Sequence, residues 1–473
     1  MKGEGVVGGG LEASGGRIGL SIASHSGLPP ARIGELAGAA ERAGFGAVFV
    51  AEGHGDALAL CHPVAAATTR VRVGTAVANA ALRPPVLAAK TAAQLDQAAG
   101  GRFILGLGVG NAVMNARFGL SPFEPLQMVE EYVAVVRSVL NRGTGYDGQL
   151  FRTGMIPLDR APVRAGLPVW LGALGPRMLA LAGRIADGVI LNLMTPAQAG
   201  EAAGLVRDAA RSAGRDPDSV EVACVVHCCL SDDPAAAAEA ARAAVPRYVL
   251  HPAVPRLFGE LGGGFDLSGV RERVLAGDRA GAAELVPQPV ADGFVAWGDA
   301  DRVSARLAEY RAAGADLPVI FPMPVGGDWG YERTIAAFLS REALAMSEDL
   351  VIRFFAAIEA GDLGTLREIY APDAVIWHND DLLEQSVEDN LKVLQGLHRA
   401  VSGLRYDVVR RAPAADGVLQ QHVLRGRLAN GAEVELHAAM YLQVRDGHIT
   451  RIEEYLDSAR RSEIRKAREA LSG

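Results

Sequence analysis

Residues 167–193 read LPVWLGALGPRMLALAGRIADGVILNL and contain one complete strand, helix and strand unit. Pro168–Ala173 and Gly188–Leu193 are apolar runs of strand length. The segment between them, Pro176–Ala186, begins with proline and repeats apolar residues at helical spacing. Because both strands are apolar on both faces rather than alternating, the unit is typical of a parallel sheet covered by helices.

The same unit recurs along most of the chain. Eight apolar runs of strand length alternate with Ala- and Leu-rich helical segments: Arg17–Ser24, Ala47–Ala51, Val71–Asn79, Phe103–Val109, Pro168–Ala173, Gly188–Leu193, Val220–Leu230 and Leu317–Pro322. Eight units over about 320 residues predict an α/β protein with a (β/α)8 TIM barrel at residues 17–340, rather than a doubly wound sheet. Two long connections, Asn141–Leu167 and His251–Pro289, are expected to be lids or binding segments.

After residue 340 the pattern changes. Residues 341–347 are predicted to be a linker, and residues 348–473 a smaller α+β domain. Helical segments come first, and the strands are Ala374–His378, Leu404–Arg411, Val418–Leu428, Glu433–Arg445 and Ile449–Leu456. Asn430-Gly431 and Asp446-Gly447 separate the last strands as hairpin turns. We therefore predict an antiparallel meander with helices on one side.

Composition excludes several classes of protein. The 473 residues include 55 acidic and 47 basic ones, and no block of like charges points to a nucleic-acid partner. No run reaches the roughly 18 apolar residues of a membrane span. The glycine-rich residues 1–16 lack the apolar core of a signal peptide and are expected to be disordered, so we expect a cytoplasmic protein. Cys61, Cys224, Cys228 and Cys229 are expected to be buried thiols, and no metal site is predicted.

The sequence lacks the common catalytic motifs, but it contains one candidate anion-binding site. Asn111 and Val113 stand where a dinucleotide fingerprint requires glycine, and the chain has no phosphate-loop lysine, no G-x-S-x-G and no H-E-x-x-H. Residues 171–178, LGALGPRM, lead a buried strand into a helix whose first turn carries Arg177. Backbone N–H groups and a guanidinium there favour a phosphate. An ordinary helix start, with Gly175 as cap and Pro176 in the first turn, explains the same residues without a ligand.

Four segments carry a resemblance to a known family: RFILGLGVG at 102–110, LPVWLGALGPRM at 167–178, LAGRIADGVILN at 181–192 and VGTAV at 73–77. The first part of the chain resembles the luciferase-like monooxygenase superfamily, in the branch that uses the deazaflavin coenzyme F420. This resemblance implies hydride transfer between deazaflavin and a small organic molecule, with the coenzyme at the C-terminal ends of the strands. An FMN-dependent monooxygenase is the alternative, because the same barrel serves both cofactors.

The resemblance also implies particular coenzyme contacts. The phosphate is expected at Ala173, Leu174, Gly175, Pro176, Arg177 and Met178. Relatives often carry a non-prolyl cis peptide pressed against the ring at the segment matched by Thr75, Ala76 and Val77. The loop along the ring edge matches Gly108, Val109, Gly110 and Asn111. Small residues there permit a flat heterocycle to approach, or they pack tightly in the barrel mouth without a ligand.

Candidate catalytic groups lie where predicted strands end. Relatives place an acid near the catalytic centre at the position of Glu52, often followed at once by histidine, whereas Gly53 separates Glu52 from His54 here. Ser24 and His25 follow the first strand in a similar way. His227, within the seventh strand, is expected to be a packed barrel residue.

The second domain carries its own resemblance, in AGDL at 360–363, APDAVIWHN at 371–379 and VRDGHITRIEEY at 444–455. These segments resemble the polyketide-cyclase-like (SnoaL-like) group of the nuclear-transport-factor-2-like superfamily, which implies a cone-shaped, cystatin-like fold. His378 falls near the general base of the isomerases in that superfamily, and Asp380 is expected to orient its ring. An imidazole pKa of about 6.5 suits proton transfer near neutral pH.

Two functions remain open for this domain. It is predicted to isomerise, cyclise or hydrate the product of the barrel, or to bind that product. The alternative is a dimerisation or ligand-binding module, and a homodimer is expected. The epoxide-hydrolase pattern is not met, because Arg427 replaces its aspartate, although Glu454 could supply an acid. His437 shares strand parity with Glu433 and Glu435 and is expected to face solvent or a dimer partner.

Overall fold

Eight parallel strands form a closed barrel in the first part of the chain. They are β1 Gly19–Ala23, β2 Ala47–Ala51, β3 Arg72–Thr75, β4 Phe103–Gly108, β5 Val169–Gly172, β6 Gly188–Asn192, β7 Glu221–Leu230 and β8 Leu317–Pro322. Neighbours in sequence pair in parallel, and β8 pairs with both β7 and β1, which closes the ring. The predicted (β/α)8 barrel and its eight strands are confirmed.

The computed structural model describes residues 18–110, 112–141, 143–160, 163–164, 166–251, 265–338, 341–379, 382–414, 417–445 and 447–457. Residues 1–16, predicted to be disordered, lie outside these ranges. The chain divides into two compact units, Met1–Phe338 and Leu339–Gly473.

The barrel strands are buried on both faces, as their apolar sequences predict. Leu20, Val48 and Ile320 lie side by side on three neighbouring strands, and each is 0% exposed. Side chains that point inward fill the barrel, and those that point outward pack against the helices. The four cysteines are free and buried, as predicted.

Helices surround the barrel. Their bounds are Pro30–Arg42, Ala57–Ala66, Pro85–Ala98, Ala112–Arg117, Pro125–Leu140, Pro176–Ile185, Pro196–Ser212, Pro234–Ala244, Ser268–Leu275, Arg279–Glu284, Gln288–Phe294, Ala300–Ala312 and Tyr331–Ala337. Several are capped by a side chain: Asp56, Asp233 and Asp299 accept hydrogen bonds from backbone N–H groups of the first turn. Such caps satisfy donors that the helix itself leaves free.

The two long connections contain elements that the sequence does not reveal. Tyr146–Asp147 and Arg152–Thr153 form a two-stranded hairpin in the first. The described part of the second contains the helices Ser268–Leu275 and Arg279–Glu284. These helices have eight and six residues, too few to establish a helical period of apolar residues. The strand Val295–Gly298, which follows, pairs with β7 outside the closed ring.

The second unit is a mixed sheet packed against helices. Its helices are Arg341–Ala360, Leu363–Ile369 and Val387–Ala400, and its strands are β9 Tyr370–His378, β10 Glu384–Gln385, β11 Val401–Ala414, β12 Gly417–Leu428, β13 Glu433–Arg445 and β14 His448–Leu456. The strand order is β10-β9-β14-β13-β12-β11, and every pairing except the parallel β9–β14 is antiparallel. Val351, Leu366 and Leu442 lie in the core between sheet and helices. The predicted α+β architecture is confirmed.

The residues predicted to form the linker are helical. Residues 341–347, REALAMS, belong to the continuous helix Arg341–Ala360. Ala, Leu, Glu, Met and Arg all have high helix propensity, so the segment extends the amphipathic helix that the sequence places from Glu348 onward. The division between the two units falls instead between Phe338 and Leu339.

Gly106 allows β3 and β4 to approach. The hydroxyl of Thr75 donates to the carbonyl oxygen of Gly106 at 2.6 Å, and a methyl group at position 106 would lie 1.8 Å from the backbone oxygen of Thr75. We expect Gly106→Ala to lower the free energy of unfolding by about 3 kcal/mol, because backbone must move to accommodate the methyl.

The matched control is Gly204→Ala. Gly204 lies in the helix Pro196–Ser212, where an added methyl meets nothing within 4 Å. This variant should be about 0.5–1 kcal/mol more stable than the wild type, since alanine costs less backbone entropy. Urea unfolding followed by circular dichroism measures both variants. Wild-type stability for Gly106→Ala would contradict the steric argument.

Candidate active site

The chain bends sharply where β3 ends. The peptide bond between Ala76 and Val77 is cis, although neither residue is proline. The chain then pairs again with β4 through Ala78 and Asn79. The cis peptide that the resemblance places at residues 75–77 is thus present, and it lies beside the C-terminal end of β4. That it contacts a coenzyme ring stays a prediction.

Glycines pack against this bend. A methyl group added at Gly108 would lie 2.5 Å from Cγ2 of Val77, and one at Gly172 would lie 3.2 Å from Cγ1. Gly110 has a φ of +63°, a conformation that favours glycine. Close packing explains Gly108 and backbone conformation explains Gly110, and neither explanation requires a ligand. Asn111, the last residue predicted for this loop, lies outside the described residues.

Two buried asparagines connect the bend to the loop after β4. The side-chain amide of Asn79 donates to Oδ1 of Asn115 at 2.9 Å, and the amide of Asn115 donates to the carbonyl oxygen of Val109 at 2.8 Å. Asn79 is 8% exposed and Asn115 is 6% exposed. Sequence reasoning missed both, although a lone asparagine directly after an apolar strand is a usable signal.

Glu52 is held by several donors at once. Arg83 donates to both carboxylate oxygens, at 2.5 Å and 2.9 Å, and the backbone N–H of Asn79 donates to Oε2. Burial opposes the charge of Arg83, but its hydrogen bonds to Glu52 raise the pKa of the guanidinium. These hydrogen bonds fix the carboxylate and hold the backbone after the cis peptide. The catalytic role that the resemblance implies for Glu52 stays a prediction.

His25 and His54 meet at the barrel mouth. Their ring centroids are 5.7 Å apart, and the ring of His25 also stands edge-on to Trp329 at 5.4 Å. A methyl at Gly53 would lie 2.4 Å from Nδ1 of His25, so the glycine that separates Glu52 from His54 provides the space for His25. Burial lowers the pKa of His25, with smaller contributions from His54 and Arg247. His25 is therefore mainly neutral at pH 7.

His227 is packed inside the barrel, as expected. Its Nε2 lies 3.0 Å from Oδ1 of Asn192, and its ring packs against Tyr248 at 4.7 Å and Phe321 at 5.2 Å. Burial lowers the pKa of His227 to about 4. Oδ1 of Asn192 also accepts from the backbone N–H of Leu193, so it acts as acceptor and the hydrogen lies on Nε2.

The helix start at Gly175 is open. Gly175 makes no side-chain cap for the helix Pro176–Ile185, and an added methyl there meets nothing within 4 Å. Close packing therefore does not explain this glycine. The side chain of Arg177 is 79% exposed and lies 3.7 Å from Glu124. Uncapped N–H groups, open space and a mobile guanidinium fit the phosphate that the resemblance places here.

His378 ends β9 inside the second unit. It is 4% exposed, and its Nε2 lies 3.2 Å from Oε2 of Glu454. Its Nδ1 is buried and has no hydrogen-bond partner within the described part of the chain. Asp380, which the sequence expects to orient this ring, lies outside the described residues. Glu454, paired with His378 across β9 and β14, orients the ring in the structure.

More polar groups lie on the same sheet face. Strand pairing places Glu454, Met440 and Gln420 in one row beside His378. Gln420 is 0% exposed, and its neighbour His422 is 2% exposed. Sequence reasoning missed both, although they share strand parity with the buried Val418. His437, on the opposite parity, is exposed beside Glu435, as predicted.

The geometry defines a class of protein: a (β/α)8 barrel in which closely packed glycines at the strand ends lie beside a non-prolyl cis peptide. The sequence profile of luciferase-like monooxygenases matches residues 14–317, and that of SnoaL-like domains matches residues 351–452. The chain belongs to the luciferase-like monooxygenase family and carries a C-terminal SnoaL-like domain. Within the described residues, no helix has the length and apolar character needed to span a membrane.

Its relatives agree with this assignment. The putative coenzyme F420-dependent oxidoreductase Rv3520c of Mycobacterium tuberculosis is 33% identical over 333 residues, which cover 64% of this chain and 94% of the relative. The 5,10-methylenetetrahydromethanopterin reductase of Methanolobus tindarius is 30% identical over 63% of this chain and 92% of the relative. The solved coenzyme F420-dependent tetrahydromethanopterin reductase of Methanopyrus kandleri superposes with a TM-score of 0.59 at 25% identity, over 64% of this chain and 92% of that one.

Burial of neutral His227 predicts an acid-sensitive barrel. Its folded-state pKa of about 4 lies below the ordinary 6.5, so protons bind the unfolded chain preferentially and stability falls as pH drops from 6.5 toward 4. Between pH 7 and pH 5 the loss should be about 2 kcal/mol. The variant His227→Gln should lack this part of the pH dependence.

Urea unfolding at both pH values, followed by tryptophan fluorescence, measures the effect. Three of the four tryptophans report on the barrel: Trp170, Trp297 and Trp329. His62→Gln is the control, because His62 is exposed in the same unit. Equal pH dependence of wild type and His227→Gln would show that His227 is not the group responsible.

Proposed function

We propose that the barrel is a coenzyme F420-dependent oxidoreductase that exchanges a hydride with a small organic molecule, such as an alcohol/carbonyl or alkene/alkane pair. The observation that carries this proposal is the open, uncapped start of the helix Pro176–Ile185 at Gly175, with the exposed guanidinium of Arg177 beside it. Relatives named for F420 dependence support the choice of coenzyme. An FMN-dependent monooxygenase is the alternative.

Two parts of the chain would hold the coenzyme. Val77, Gly108 and Val109 would contact the ring, and Gly175, Arg177 and Met178 would hold the phosphate. The deazaflavin, when bound, supplies the hydride chemistry, so the protein contributes binding, orientation and proton transfer. Glu52 and Arg83 contribute indirectly, since their hydrogen bonds fix the segment that follows the cis peptide.

His25 and His54, at the barrel mouth, would accept the proton that the substrate releases. When an alcohol loses hydride, its hydroxyl proton must also leave, and a neutral imidazole can accept it. The lowered pKa of His25 keeps that ring neutral at pH 7. Its Nδ1 lies against Gly53, so Nε2 would be the nitrogen that takes the proton. His54, exposed 5.7 Å away, would pass the proton to solvent.

Coenzyme binding tests this proposal. Arg177→Glu should weaken F420 affinity about tenfold, because it replaces an attractive charge at the phosphate with a repulsive one. The control is Arg184→Glu, which reverses an exposed charge in the last turn of the same helix. Fluorescence titration with F420 measures affinity, and parallel titration with FMN tests the alternative. Unchanged F420 affinity in Arg177→Glu would contradict the proposed position of the phosphate. Tight binding of FMN without binding of F420 would show that the coenzyme is FMN.

The second domain is proposed to act on the product of the barrel by acid and base catalysis. The observation that favours this second function is the buried pair of His378 and Glu454, with Nδ1 of His378 unpartnered among the residues that the structure describes. A carboxylate that orients an imidazole is a common arrangement for a general base. A dimerisation or ligand-binding module is the alternative. The homodimer and the cytoplasmic location stay predictions.

A further inference from the structure

A single side-chain oxygen at the end of β1 holds the loop that carries His54. The hydroxyl oxygen of Ser24 accepts the backbone N–H of Gly53 at 2.7 Å and that of Gly55 at 3.3 Å. A serine oxygen has two lone pairs, so both of its acceptor positions serve this loop. The two glycines flank His54, and the backbone is therefore tethered to the same atom on both sides of the histidine.

The side chain of His54 depends on this tether. Its imidazole is exposed and makes no hydrogen bond within the described part of the chain. Its ring contact there is with His25, at 5.7 Å between the centroids. The position of the His54 ring is therefore set by the backbone on either side of it, which Ser24 holds.

The same contact explains the glycines on both sides of His54. A methyl group at Gly53 would lie 2.4 Å from Nδ1 of His25. One at Gly55 would lie 3.0 Å from the backbone oxygen of Ser24 and 3.3 Å from its Cβ. A loop with larger residues at these two positions could not lie this close to the end of β1. The Gly-His-Gly sequence of the loop thus fits the Ser-His sequence that follows β1.

Other groups fix the two ends of the loop. The backbone N–H of Glu52 donates to the carbonyl oxygen of Val77 at 3.4 Å. At the other end, the carboxylate of Asp56 caps the helix Ala57–Ala66. Loss of the Ser24 oxygen would therefore release the middle of the loop and leave both of its ends in place.

We propose that Ser24 is a positioning residue that holds His54 beside His25, so that the two imidazoles act as one proton-transfer pair. One proton leaves the substrate hydroxyl, passes to His25 and reaches solvent through His54, and Ser24 acts only through the backbone that it binds. The inference rests on the proposed function of the barrel, in which these histidines accept the substrate proton.

The pKa of His25 reports whether His54 is held beside it. Burial lowers this pKa, and the charges of His54 and Arg247 lower it further. His54→Gln should raise the pKa of His25 by about 0.5, the effect of removing a like charge about 6 Å away in water. Ser24→Ala should raise it by the same amount. Gly55→Ala should do so too, because the added methyl pushes the loop away from Ser24.

NMR titration of the imidazole signals of the full-length protein measures this pKa, and His25→Gln assigns the signal. Each test variant has a matched control. Ser231→Ala also removes a hydroxyl oxygen that accepts a backbone N–H, from Asp233 at 3.2 Å, just after β7. Gly204→Ala also adds a methyl to a glycine, but in open space. Both controls should keep the wild-type pKa of His25.

The outcomes separate positioning from stability. A role of Ser24 in stability alone would lower the melting temperature of Ser24→Ala and leave the pKa of His25 unchanged. A wild-type pKa of His25 in Ser24→Ala and Gly55→Ala therefore overturns the proposal. No change in His54→Gln overturns it as well, because the two rings would then not lie side by side.

F420 titration of the wild type tests the function on which the inference rests. Absence of F420 binding would overturn the proposed function of the barrel. The pKa of His25 is measured without coenzyme, so that result and the failure of the positioning role are distinguishable.

Discussion

The ion pair between Arg83 and Glu52 organises the barrel site. It is anchored at the end of β2, and Glu52 also accepts the backbone N–H of Asn79, just after the cis peptide. From Asn79 the hydrogen bonds continue through Asn115 to the carbonyl of Val109. The two segments predicted to border the coenzyme ring, one after β3 and one after β4, are thus held by one connected set of hydrogen bonds. Removing Arg83 would leave the buried carboxylate of Glu52 without its cationic partner, which costs far more than the pair itself contributes.

Buried histidines in both units are controlled by their hydrogen-bond partners. Asn192 fixes the hydrogen of His227, and Gln420 fixes that of His422. Asn192 lies on the strand next to that of His227, whereas Gln420 lies two residues from His422 on the same strand. Burial lowers the pKa of both histidines. The exposed His437 instead contacts the carboxylate of Glu435.

The sequence predicted the fold better than the site. The eight apolar runs of the first domain and the alternating strands of the second are enough to predict both folds, because each burial pattern is local in sequence and repeats along the chain. The helix start at Arg341 was not predicted, because a domain boundary was expected at residues 341–347. The role of Glu52 could not be read, since Arg83 lies 31 residues away and reaches it only through the fold. Gln420 was missed for the same reason: its partner Arg411 is on another strand.

The chemistry proposed for the two units is complementary. Oxidation of an alcohol to a ketone makes the neighbouring C–H bonds acidic, and these are bonds that an imidazole base can break. A base alone would do nothing for the alcohol. The acidity of these C–H bonds then limits the order of the reactions. Either the barrel oxidises the alcohol before the second domain acts, or the second domain isomerises an unsaturated ketone before the barrel reduces it. Either order requires the ketone, so the carbonyl group is the feature that both sites would recognise.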